Sequence, residues 1–147
     1  MLAIVFAALA GALGDGVAAD VPPGWHVVSQ SVEQSTCDPV QRLALATYQL
    51  PLMGGSIDSI PRNQALVIVL EDHVNPPSNY DRKPRHIRLR WQRPTQFEGC
   101  CGLPTAPGWE VFFRSRGRDL VVQVHAGPNL RPRRRAQILR ILSSIHG

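Results

Sequence analysis

Residues 109–126 read WEVFFRSRGRDLVVQVHA, and their pattern decides the fold. Two runs rich in β-branched and aromatic side chains, Trp109–Arg114 and Asp119–Ala126, flank Arg116-Gly117-Arg118. Gly117 can take a positive φ without steric cost, so the stretch predicts a β-hairpin. Leu120, Val122 and Val124 alternate along the second run and are expected to face the core. Gly127-Pro128 then stops the strand.

Working outward, Gln64–Leu70 (QALVIVL) is an unbroken apolar run of strand length, which predicts a strand buried on both faces. Arg42–Leu50 (RLALATYQL) alternates with period two and is confined by Pro39 and Pro51, so it reads as a strand despite its alanines and leucines. Trp25–Gln30 reads as a short strand. Arg85–Gln92 sets Ile87, Leu89 and Trp91 against His86, Arg88 and Arg90, the alternation of a half-buried strand. Ser56–Pro61 has room for one helical turn, while Ser31–Val40 and Asn75–Tyr80 read as loops. Downstream, Pro132 suits a helix start, and Ile138, Leu139, Leu142 and Ile145 form one apolar stripe. The expectation is an α+β domain: an antiparallel sheet of five to six strands with a C-terminal helix packed on one face.

The chain has 147 residues, 44% of them hydrophobic and 18% charged. That is one domain able to bury a core, and it excludes a coiled coil, a collagen-like rod and a disordered tail. A single apolar stretch, at the amino end, also excludes a polytopic membrane protein. Leu2–Leu13 (LAIVFAALAGAL) followed by Val17-Ala18-Ala19 has the apolar run and small-residue site of a secretory leader, although no basic residue precedes Arg42. Residues 1–19 are therefore expected to be a signal peptide or an N-terminal anchor, with cleavage after Ala19. Residues 20–147 form the domain, and its expected location is extracytoplasmic, secreted or attached to the cell envelope.

An oxidising exterior makes Cys37 paired with Cys100 or Cys101 the natural disulfide, worth about 4 kcal/mol for a loop of this length. The alternative is a small secreted enzyme in which a Cys100 or Cys101 thiol works with a histidine. Its partner is not selected by spacing, because His26, His73, His86, His125 and His146 are scattered. Glu71-Asp72-His73 is the one tight ionisable cluster. Consecutive side chains on an extended segment alternate faces, so at most Glu71 and His73 could share a ligand, and a solvated strand end explains the cluster better than a metal site. No dinucleotide or phosphate loop is present, so neither cofactor nor metal is expected.

Charge is the strongest functional signal. Six acids and two bases lie between Asp20 and Asn79, against four acids and fourteen bases between Tyr80 and Gly147. Fifteen of the sixteen basic residues are arginine. GC-rich coding explains part of that bias, since alanine, proline and glycine are also plentiful. Arg131, Arg133, Arg134 and Arg135 crowd a helix start, where each cation costs about 0.3–1 kcal/mol against the helix dipole, and the two readings are coding-driven arginine on a solvated face and an anion site. With Arg88 and Arg90 these four are the candidate anion-binding residues. The partners that fit are an anionic membrane surface, an acidic envelope polymer or a partner protein. Nucleic acid is not expected outside the cytoplasm.

Pro23-Gly24-Trp25, Arg42-Leu43-Ala44-Leu45-Ala46, QALVIVLED at 64–72 and Gly117-Arg118-Asp119-Leu120 leading to Arg140-Ile141-Leu142-Ser143-Ser144 resemble small exported domains of high-GC bacteria. The Pro-Gly-Trp opening, the antiparallel sheet and the closing helix are more distantly similar to the PsbP-like fold. The resemblance to the exported domains covers most of residues 22–146, and the PsbP-like fold implies a non-catalytic accessory role. The lipid-attachment cysteine of the related lipoproteins is missing, so lipid tethering is not implied, and no functional residue carries over.

Overall fold

The structure is a computed structural model that describes residues 12–14, 16–29, 31–32, 39–51, 57–74, 80–98 and 103–147. Among the described residues seven strands and a helix follow one another: β1 (Ala12–Gly14), β2 (Val17–Ala19), β3 (His26–Val27), β4 (Val40–Ala46), β5 (Ala65–Glu71), β6 (Gly108–Ser115), β7 (Arg118–Ala126) and α1 (Pro132–Ser144). β3 to β7 form a five-stranded sheet in the order β3-β4-β5-β7-β6, antiparallel at every junction. The expected α+β architecture, with its antiparallel sheet and closing helix, is the one observed.

The hairpin at the centre of the sequence pattern closes as a two-residue loop. Ser115 pairs with Arg118, and Arg116 and Gly117 take φ of 49° and 79°. Two positive φ values in succession match the right-handed twist of the flanking strands. Every residue of β5 is buried, which explains its unbroken apolar run. On one side Val67 and Val69 join Leu43, Leu45, Leu120, Val122 and Val124 beneath Ile138, Ile141 and Leu142 of α1. On the other, Leu66, Ile68 and Leu70 meet Leu50, Ile57, Ile60, Tyr80 and Ala106 from the connecting segments. Each fully buried aliphatic side chain contributes about 1.5–3 kcal/mol. Ile141, which the helical stripe read from sequence omitted, is also fully buried.

Four expectations need correction. The strand expected over Arg42–Leu50 runs over Val40–Ala46 and stops before Thr47. Trp25–Gln30 contracts to a two-residue strand at an exposed edge, His26–Val27. The helical turn expected over Ser56–Pro61 does not form across the described residues 57–61. The Ile57 carbonyl instead accepts the amides of Thr105 and Ala106, which ties this segment to a distant loop. Arg85–Gln92 is not a strand. Ile87 is buried and Leu89 and Trp91 pack on the core, while His86, Arg88 and Arg90 are exposed. The alternation gives the right faces, but the backbone turns at Arg90–Arg93, where Arg93 N donates to Arg90 O, and joins no ladder.

The amino-terminal boundary is the most consequential placement. β1 pairs with β2 around Gly16, whose φ is 87° and whose Cβ position lies only 2.6 Å from Arg118 Nη2. Val17 is fully buried and Ala19 is 3% exposed, both in the core that α1 covers. Ala18 and His146 exchange two backbone hydrogen bonds, 2.9 and 3.0 Å. The cleavage point expected after Ala19 therefore falls inside packed structure. Residues 1–11 lie outside the described residues, as do Cys37, Cys100 and Cys101 with the expected disulfide. Among the described residues no helix is long and apolar enough to cross a membrane.

Candidate functional site

The start of α1 is built by residues from three parts of the chain. Asn63, held at φ 57°, accepts the Arg131 N–H on its side-chain oxygen at 3.0 Å. Pro132 occupies the first helical turn, where its missing N–H costs nothing. Arg131 is the N-cap and supplies no side-chain cap, and the first turn holds no acidic residue. The N–H groups of Arg133 and Arg134 are too early in the helix to find an intrahelical acceptor.

Two tryptophans support this turn. Arg134 lies 5.8 Å over the Trp25 ring, and Arg135 lies 5.5 Å over the Trp91 ring. Gln137 locks the first pair. Its Oε1 accepts from Trp25 Nε1 at 3.1 Å and from Arg134 Nη1 at 2.9 Å, and its Nε2 donates to Pro23 O at 3.1 Å. Burial, and secondarily the charge of Arg133, lowers the Arg134 pKa. Trp91 in turn packs edge-on to Trp109 at 5.1 Å, whose Nε1 donates to the Arg90 carbonyl at 2.8 Å.

The geometry sorts the six arginines read from sequence. Arg131 and Arg133 are exposed, with no side-chain partner among the described residues. They line an open groove of about 270 Å³ with Arg134, Pro23, Gly24, Asn63 and Gln137. Arg135 turns away onto Trp91, where its Nε is buried without a hydrogen-bond partner. Arg88 and Arg90 are exposed on the segment that Trp91 anchors beneath Arg135. The stacks that join these elements were not readable from sequence, because the partners are far apart in the chain.

The other sequence candidates resolve into structural roles. Glu71 Oε2 accepts from Arg42 Nε at 2.7 Å and from Arg118 Nη1 at 2.9 Å, and His73 Nε2 lies 4.0 Å away. Asp72 points to the opposite face and accepts the Tyr80 hydroxyl. Glu71 and His73 thus do share a side, but they share it with guanidinium groups. Among the described residues no group of three His, Cys, Asp or Glu side chains could hold a metal.

His125 is fully buried; its Nδ1–H donates to the Ala106 carbonyl at 2.7 Å, and its ring packs on Phe97. Burial pushes its pKa down to about 4. His26, His73, His86 and His146 are exposed. The cysteines of the enzyme alternative fall outside the described residues.

No protein-family model matches the chain, and neither curated proteins nor solved structures give a match.

Proposed function

We propose that this chain is a non-catalytic binding domain of the cell envelope that holds an acidic polymer against the arginines at the start of α1. The observation that carries the reading is the pair Arg131 and Arg133, both exposed, without a side-chain partner among the described residues, and lining one open groove with Arg134 at the start of α1. Acid-free helix starts crowded with arginine work against the dipole, so the cations need another reason to be there. An anion offers one, since guanidinium forks pair with carboxylate or phosphate two bonds at a time. Arg88 and Arg90 are exposed on the segment whose Trp91 stacks under Arg135, and they add further cations to the side of this turn.

A membrane surface is the less favoured partner, because no large apolar side chain in 85–93 or 131–135 is strongly exposed to enter a bilayer. The accessory role agrees with the resemblance to exported domains and the PsbP-like fold. Export in this reading takes the anchored form. Val17 and Ala19 belong to the packed body, and cleavage after Ala19 would strip them from it.

The test is salt elution of the full chain from a polyglutamate resin, compared with the variant carrying Arg131→Gln, Arg133→Gln and Arg134→Gln. The wild type should elute at higher salt than the variant, since fewer ion pairs with the polymer leave less attraction for salt to screen. Equal elution would overturn the proposal. Intact mass of the protein recovered from its host envelope tests the anchor: loss of residues 1–19 would contradict it.

A further inference from the structure

We propose that the β6–β7 turn carries a second site, independent of the first, that binds a phosphoryl group. Arg82, Lys83, Arg114 and Arg116 converge there with Ser115 and Gly117 around an open groove of about 670 Å³. Among the described residues no Asp or Glu lines it. Arg114 is paired with Asp119 at 2.7 and 3.0 Å, and the Lys83 ammonium gives two of its three protons to Ser143 and Ile145. Arg82 and Arg116 are exposed and have no side-chain partner among the described residues. Ser115 Oγ accepts the Gly147 N–H at 3.2 Å, which leaves its own proton to donate.

Arg116 supplies the independent observation. It holds φ of 49° at the first position of the turn, a place where glycine, asparagine or aspartate is the unstrained choice. A long side chain kept in the left-handed region points to a use for that side chain. Arg116 is one of the residues that line the groove. A carboxylate would need one such fork, whereas a phosphoryl dianion fits two unpaired guanidinium groups and an ammonium. The groove exceeds what inorganic phosphate fills. Tyr80, which also lines the groove, offers a ring surface for the rest of the molecule, and it packs edge-on to Phe112 at 6.0 Å.

The site lies at the other end of the helix from the polyglutamate groove. Asn63 holds the start of α1, and Lys83 holds its end. Thirteen residues of helix, about 20 Å, separate them.

The experiment is a titration of the full chain with inorganic pyrophosphate, followed by the amide signals of Ser115 and Gly117. It is run in wild type, Arg116→Asn, Arg82→Gln, and the triple glutamine variant at 131, 133 and 134. Saturable shifts are expected in wild type and in the triple variant. Arg116→Asn and Arg82→Gln should each bind about tenfold more weakly or worse, the loss of one charged hydrogen bond. Arg116→Asn suits the turn, so it should melt no lower than wild type, which separates binding from folding. Unsaturated or absent shifts in wild type, or unchanged binding by Arg116→Asn, would overturn the site. Cosedimentation with phosphatidylglycerol vesicles but not phosphatidylcholine vesicles, lost in Arg116→Asn, identifies the source as a lipid headgroup. Pyrophosphate binding without cosedimentation identifies a soluble phosphorylated ligand.

Discussion

Lys83 Nζ lies 2.7 Å from the Ser143 carbonyl, so the sole lysine of the chain closes the carboxyl end of the helix from a distant connecting segment. The same ammonium reaches Ile145 O and sits 5.2 Å over the Phe113 ring. Burial pushes its pKa down to about 8, which leaves it charged at pH 7. A cation at this end is favoured by the dipole, and it satisfies carbonyls that have no partner within the helix. Lys83→Met should therefore cost about 1–3 kcal/mol, read as a lower urea midpoint at pH 7. An unchanged midpoint would mean water serves these carbonyls equally well.

The amino-terminal hairpin should contribute measurably to stability. Val17→Ala removes two methyl groups from a fully buried site and is expected to cost about 1–3 kcal/mol. A chain beginning at Asp20 loses Val17, Ala19 and the two bonds to His146, and should unfold at lower urea than Val17→Ala does. Equal stability of the two chains of residues 12–147 and 20–147 would show that β2 is dispensable.

That hairpin also marks where sequence reading stops. Val17-Ala18-Ala19 suits a peptidase subsite because its residues are small, and small residues equally suit a strand pressed under a helix. What distinguishes the two is the pairing of Ala18 with His146, at the other end of the chain, which leaves no local mark. Period-two alternation proved dependable for facing and less so for pairing. Leu120, Val122 and Val124 point inward in a ladder, whereas Ile87 and Trp91 point inward without one. Burying every second side chain needs only a surface to lie on. The arginines at 131–135 stood out by composition, but the rings that hold them, Trp25 and Trp91, were placed by long-range packing.

Stability and anion binding should move in opposite directions at Arg133. Its side chain is exposed at the second helical position and has no partner among the described residues. Arg133→Glu places an acid where the dipole favours one, and the fold should gain about 0.3–1 kcal/mol or somewhat more. The same variant should leave polyglutamate resin at lower salt than wild type. Loss of stability together with weaker retention would indicate a structural role for Arg133 and remove the argument from its misplaced charge.

His125 should make the fold acid-sensitive in a definite window. Its pKa is about 4 in the folded chain, chiefly because burial disfavours the charged ring, against about 6.5 when unfolded. Between those values the unfolded chain binds more protons than the folded one, so stability falls as pH falls from 6.5 to 4. The full loss approaches about 3 kcal/mol below pH 4, from roughly 1.4 kcal/mol per pKa unit. His125→Gln removes the titrating ring, and its urea stability should decline less between pH 7 and pH 4.5 than that of wild type. A parallel decline in both proteins would assign the acid sensitivity to other groups. A signal assigned to the His125 imidazole and titrating near pH 6.5 in the folded protein would show that the ring is not sealed from water as its burial implies.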